Sequence, residues 1–196
     1  MALTINPAVS GSRTRFLLHS GGFFLGVFVG ALGSLLIVLV LKDLFAAIVP
    51  NKWIVLAVLA LVGWAILHDV GMPAPLPYRP GQVPERLRSV LPTGAVATAF
   101  GLQLGVGFLT FFTYSTHLAM LLALPFLRSL PQMILVITLF ACGKTLVLAT
   151  SIGIRSIDEV TTRFRWTPAR ARVLRGTTAT ASLLVGLALL QLWPGR

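Results

Sequence analysis

The sequence predicts an all-α, polytopic integral membrane protein, on three observations. Charged residues make up 11% of the 196 residues while hydrophobic ones make up 56%; soluble domains of this length carry about 25% charge. Uncharged apolar runs recur along the chain, and about 20 helical residues suffice to cross a hydrocarbon core of about 30 Å. Runs such as WIVLAVLALVGWAIL, from Trp53 to Leu67, are apolar on every side. Barrel strands would alternate with a period of two, so the pattern selects helices, whose backbone groups are paired within the segment.

Six hydrophobic segments follow in order: about Phe16–Leu41, Trp53–Leu67, Thr93–Phe112, Leu118–Leu127, Met133–Ala149 and Thr177–Leu192. The fourth is short, and Thr113–His117 alone parts it from the third. Gly94–Leu127 therefore reads as a tight helical hairpin, or as one crossing plus a re-entrant piece. The expectation is five or six crossings within a single transmembrane domain over residues 1–196. The polar start, MALTINPAVSGSRTR, precedes an apolar run too long for a signal-peptide core and reads as an uncleaved anchor.

Two loops hold most of the polar residues. Asp69–Pro92 contains six prolines, which excludes a continuous helix through its first half. Gly153–Arg175 pairs Ser156 with Glu159 at capping-box spacing, and Thr167-Pro168 has the cap-then-proline order of a helix start. The two regions contribute to a weak repeat with a period near 80 residues, giving related halves of about 16–93 and 94–193. Leu25-Gly26-Val27 aligns with Leu104-Gly105-Val106, and Pro50 with Pro131. Chance similarity between Leu- and Gly-rich helices is the alternative.

The formal charge is +11. Because the basic residues lie between apolar runs, the positive-inside rule accounts for them and no basic face remains for nucleic acid. Lys42, Lys52 and Lys144 are the lysines among 16 basic residues; this Arg-rich balance suits a GC-rich bacterium and an inner-membrane location. Six crossings divide the loop charges almost evenly. Five crossings place the N-terminus, the Pro-rich loop and the Arg-rich loop on one side, which the charge rule makes cytoplasmic. Within the Arg-rich loop, Arg163-Phe164-Arg165-Trp166 has the character of an interfacial anchor or an anionic-lipid contact.

Gly22, Gly26, Gly30 and Ser34 repeat at every fourth position, as do Gly101 and Gly105. Small residues so spaced let helix backbones approach closely. The packing they serve is intramolecular, or a seam with a second copy, or a hinge between moving halves. Gln103, Gly107, Thr110, Tyr114 and His117 form a polar stripe that reads as a solute path or as interhelical polar glue; Thr138, Cys142 and Thr145 form a shorter one. Cys142, the single cysteine, excludes intrachain disulfides and reads as a small packing residue. Lys144 sits a few residues from the midpoint of its segment, where a charge costs about 3 kcal/mol. It needs a carboxylate partner, a wet cavity or a snorkelling path. Asp43 is the expected partner with six crossings and Asp69 with five. The residues show no catalytic grouping, no cofactor motif and no metal-ligand spacing, so no enzymatic activity is expected.

Two related halves, Gly-rich first helices and a polar central loop resemble the superfamily of LysE-type exporters and the transmembrane domains of CcdA and DsbD thiol-electron carriers. The resemblance implies a six-helix fold and movement of a small solute or ion. CcdA-type carriers work through paired membrane cysteines, which this chain lacks. The expected function is thus a transporter or permease-like protein. The alternative is a non-catalytic accessory or assembly subunit of a larger membrane complex, its glycine faces serving as docking surfaces. A polar cavity reaching between Gln103, Thr110 and Lys144 would favour transport, and apolar filling there would favour the accessory role.

Overall fold

The computed structural model describes residues 12–70, 72, 90–106, 115–127, 129–149 and 180. Among the described residues lie five main helices: α1 (Arg13–Ala46), α2 (Asn51–Val70), α3 (Thr93–Val106), α4 (Ser115–Ala123) and α5 (Leu130–Ala149). A 3-10 turn, Leu124–Phe126, extends α4. Ser12 caps α1, its side chain accepting from the Arg15 amide at 3.2 Å, which satisfies one of the orphan donors of the first turn. Prolines mark other starts, where a missing amide costs nothing. Pro50 and Pro92 precede α2 and α3, their carbonyls accepting from Trp53 and Val96 at 2.9 and 3.1 Å. Pro125 opens the 3-10 turn.

The direction of each helix follows from its neighbours. α3 runs parallel to α1: Gly94 lies beside His19, and Gly105 beside Val27 and Ala31. α4 continues in that direction, with Leu121 and Leu124 packed on Ala31 and Leu35, and Pro125 at Lys42. α5 returns, since Met133 and Ile137 share a cluster with Leu35 while Ala141 joins Phe16 and Phe23. α2 packs through Val58 and Val62 against Ala119 of α4. The stretch from Gly94 to Leu127 is therefore not a helical hairpin. Its two helices travel the same way, so the third and fourth hydrophobic segments share one passage of the chain.

The expectation of five or six crossings is corrected by the lengths of the helices. The structure is all-α, but among the described residues only α1, with 34 residues, is long and apolar enough to cross a membrane. The other apolar stretches, Lys52–His68, Thr93–Val106, His117–Phe126 and Leu130–Leu146, have 10–17 residues, short of the span that about 30 Å of hydrocarbon requires. Thr177–Leu192, apart from Thr180, lies outside the described residues. In α1, 33% of the most apolar window is buried, whereas the core helix of a soluble protein would be mostly covered. Large apolar side chains lie open around the bundle, such as Leu36 at 63% and Leu139 at 62%. An exterior of that kind marks a lipid or protein contact surface, and α1 gives the chain a means of membrane association.

Candidate functional site

Two features were singled out by residue type, the small-residue faces and the polar stripe with Lys144. The faces meet each other. A Cβ built on Gly26 would strike the Thr98 carbonyl and come within 2.7 Å of the Leu102 amide nitrogen. One on Gly30 would reach the Leu102 carbonyl and lie 3.0 Å from the Gly105 Cα. Reciprocally, Gly101 faces Phe23 and Val27, and Gly105 faces Val27 and Ala31. Gly22 abuts Thr98, where a Cβ would stand 2.7 Å from Oγ1. Ser34 closes the seam: its buried hydroxyl lies 2.8 Å from the Val106 carbonyl and 3.1 Å from that of Gly30, and donates to them. The α1–α3 contact is thus a backbone-to-backbone seam within the chain, with quasi-two-fold pairing of Gly26 with Gly101 and Gly30 with Gly105. That pairing is one helical turn from the alignment of Gly26 with Gly105.

Among the described residues, the polar side chains of the two stripes do not all meet. Thr110 and Tyr114 lie outside the described residues. Gln103 is half-buried on α3. The Thr138 and Thr145 hydroxyls turn back on their own helix, donating to the Ile134 and Ala141 carbonyls at 2.8 Å each. Cys142 is exposed, not the buried packing residue its type suggests.

His117 and Lys144 meet across Phe140. The His117 ring lies 4.6 Å from the Phe140 ring between centroids, and the Lys144 ammonium stands 5.4 Å above the Phe140 centroid. Phe140 and Lys144 are four residues apart and share one helix face, which is what brings the ammonium over the ring. Burial pushes His117 down to about 3, the Lys144 charge adds to that, and a hydrogen bond with the Gly105 backbone acts the other way. Burial also lowers Lys144. The cluster holds a neutral imidazole against a cation across an aromatic ring. No group of three or more His, Cys, Asp or Glu side chains gathers as for a metal among the described residues.

The expected pairing of Lys144 with Asp43 is corrected. Because α5 is antiparallel to α1, Lys144 lies at the end occupied by Phe16 and Phe23, and exposed Asp43 at the opposite end. About 20 residues of α1 separate the two levels, roughly 30 Å at about 1.5 Å per residue. The side chain of Asp69 is outside the described set. A Lys144→Met, Asp43→Asn double-mutant cycle on thermal stability should therefore be additive within about 0.5 kcal/mol. Coupling beyond that would mean that the two charges meet.

The residues that sequence reasoning missed are Phe140, which joins His117 to Lys144, and Lys42, whose ammonium donates to the Pro125 carbonyl at 2.8 Å. The i, i+4 spacing of Phe140 and Lys144 was a usable signal for the first. Nothing local in sequence linked Lys42 to Pro125.

No family model matches the chain, and no solved structure does. Over 148 residues the chain is 30% identical to methylamine utilization protein MauF of Paracoccus denitrificans, an alignment covering 74% of this chain and 51% of the relative. The chain spans about half the length of that curated relative.

Proposed function

We propose that the chain is a non-catalytic accessory or assembly subunit of a methylamine utilization system, held in the bacterial inner membrane with protein partners. The similarity to methylamine utilization protein MauF carries this reading. It displaces the transporter expected from the polar stripe. The exposed apolar exterior supports a contact surface for lipid or a partner. The resemblance to LysE-type exporters and to CcdA- and DsbD-type membrane domains stays part of the same proposal, without the thiol chemistry of the latter.

For orientation, the ends of α1, α2, α3 and α5 that lead into the N-terminus, residues 71–92 and residues 150–179 lie together at one end of the bundle. Those segments carry eleven of the basic residues, which makes this the basic end of the bundle. The Arg163–Trp166 segment itself lies outside the described residues.

Deleting the gene in a methylamine-using bacterium should abolish growth on methylamine and spare growth on ammonium, with a plasmid copy restoring it. Proteoliposomes of the purified protein should take up no labelled methylamine. Normal growth of the deletion strain would refute the role in methylamine use. Uptake by the proteoliposomes would refute the accessory reading in favour of transport.

A further inference from the structure

A groove of about 500 Å³ opens between the C-terminal half of α1, the N-terminal half of α2 and the 3-10 turn. Its walls are apolar, from Leu41, Phe45, Ile54, Ala57 and Phe126 among others, and Lys42 is the charged side chain lining it. The volume is that of a small-molecule site, about 300–1,000 Å³. A flexible hydrocarbon chain fits such a slot.

The charge at its edge gives the occupant a sign. The Lys42 ammonium donates to the Pro125 carbonyl and stands 5.3 Å above the Phe126 centroid. It pairs with no carboxylate among the described residues. An ammonium carries three donors, so this anchoring leaves donors for an anion. Lys42 stands near the end of α1, which among the described residues is the helix long enough to cross a membrane. Across the short α1–α2 connection, Lys52 lies 5.9 Å above the Trp53 ring centroid. Lysine and tryptophan together mark the level of lipid headgroups. The groove thus starts at that level, with a cation at its mouth and hydrocarbon walls beyond.

We propose that this groove holds an acyl chain of an anionic phospholipid whose phosphate is met by Lys42. Basic residues beside apolar crevices recognise lipid headgroups in this way. The inference rests on α1 lying in the membrane and goes beyond the accessory role.

The test follows the fluorescence of Trp53 in a W64F/W166F/W193F variant in nanodiscs, quenched by brominated phosphatidylglycerol or, at equal mole fraction, brominated phosphatidylcholine. The glycerol lipid should quench at about fivefold lower mole fraction, the preference one lysine gives near a membrane surface. Lys42→Met should abolish the preference and keep the quenching. Ala57→Phe, which fills the groove from an exposed position, should weaken quenching by both lipids. Equal quenching by the two lipids in the unsubstituted groove would overturn the proposal, as would no quenching by either, which would mean that protein covers the groove. Failure of the protein to enter nanodiscs at all would overturn the membrane reading, and the lipid site with it.

Discussion

Gly26→Leu is expected to destabilise the fold by about 3 kcal/mol or more, at the upper end of overpacking effects. A Cβ at this position meets the Thr98 carbonyl and the Leu102 amide, both backbone atoms of α3, which no rotamer change can move aside. Relief requires α1 and α3 to separate. That would also break the Ser34 hydrogen bond to the Val106 carbonyl, 2.8 Å long, leaving the hydroxyl only the Gly30 carbonyl of its own helix. Gly30→Leu and Gly105→Leu should act alike, because their Cα atoms face each other. Gly21→Leu and Gly33→Leu, in the same helix, are the controls: nothing lies within 4 Å of a Cβ at either position, and both should melt with the parent protein. The measurement is thermal unfolding in detergent, with size-exclusion chromatography to report oligomeric state. A Gly26→Leu protein that melts with the parent would show that the backbones do not touch.

The contrast between these glycines shows what sequence can carry. Small residues at every fourth position define a smooth face, so Gly22, Gly26, Gly30 and Ser34 were legible as a packing surface before any coordinates. Which partner the face takes was not legible. A four-residue repeat is nearly unchanged by sliding one turn, so Gly26 aligns with Gly105 in sequence but packs level with Gly101. The direction of the chain was hidden for another reason. Thr113–His117 has the polar composition of a turn, yet α4 leaves it in the direction in which α3 entered. Counting it as a reversal moved every later helix end to the wrong side, and Lys144 was matched with Asp43 through that error. Crossings were overcounted because hydropathy registers apolar runs and not where helices break. The groove at Lys42 depended on residues 83 apart in the chain, beyond the reach of any local pattern.

Acidification should destabilise the protein through His117. Its imidazole is held down to about 3 in the fold by burial and by the Lys144 charge, against about 6.5 in an unfolded chain. Between those values the unfolded chain binds the extra proton and the folded one does not. Stability contributed by the neutral ring is therefore complete above about pH 6.5 and falls steadily as the pH drops towards 3. The melting temperature should decline by several degrees between pH 7 and pH 4. His117→Gln, which keeps a hydrogen-bonding side chain without a titrating ring, should remove most of that slope. The slope difference between the two proteins isolates His117 from the carboxylates titrating at the bottom of the range. Lys144→Met should move the acid limb in the opposite sense. With the neighbouring cation gone, His117 accepts its proton at higher pH in the fold, and less stability is lost on acidification. Lys144 itself acts at the alkaline end. Burial lowers it below its usual value of 10.5, so stability should rise with pH from the lowered value up to about 10.5, and Lys144→Met should flatten that rise. The same acid slope in His117→Gln as in the parent protein would show that the imidazole is open to solvent and that Phe140 does not hold it against Lys144.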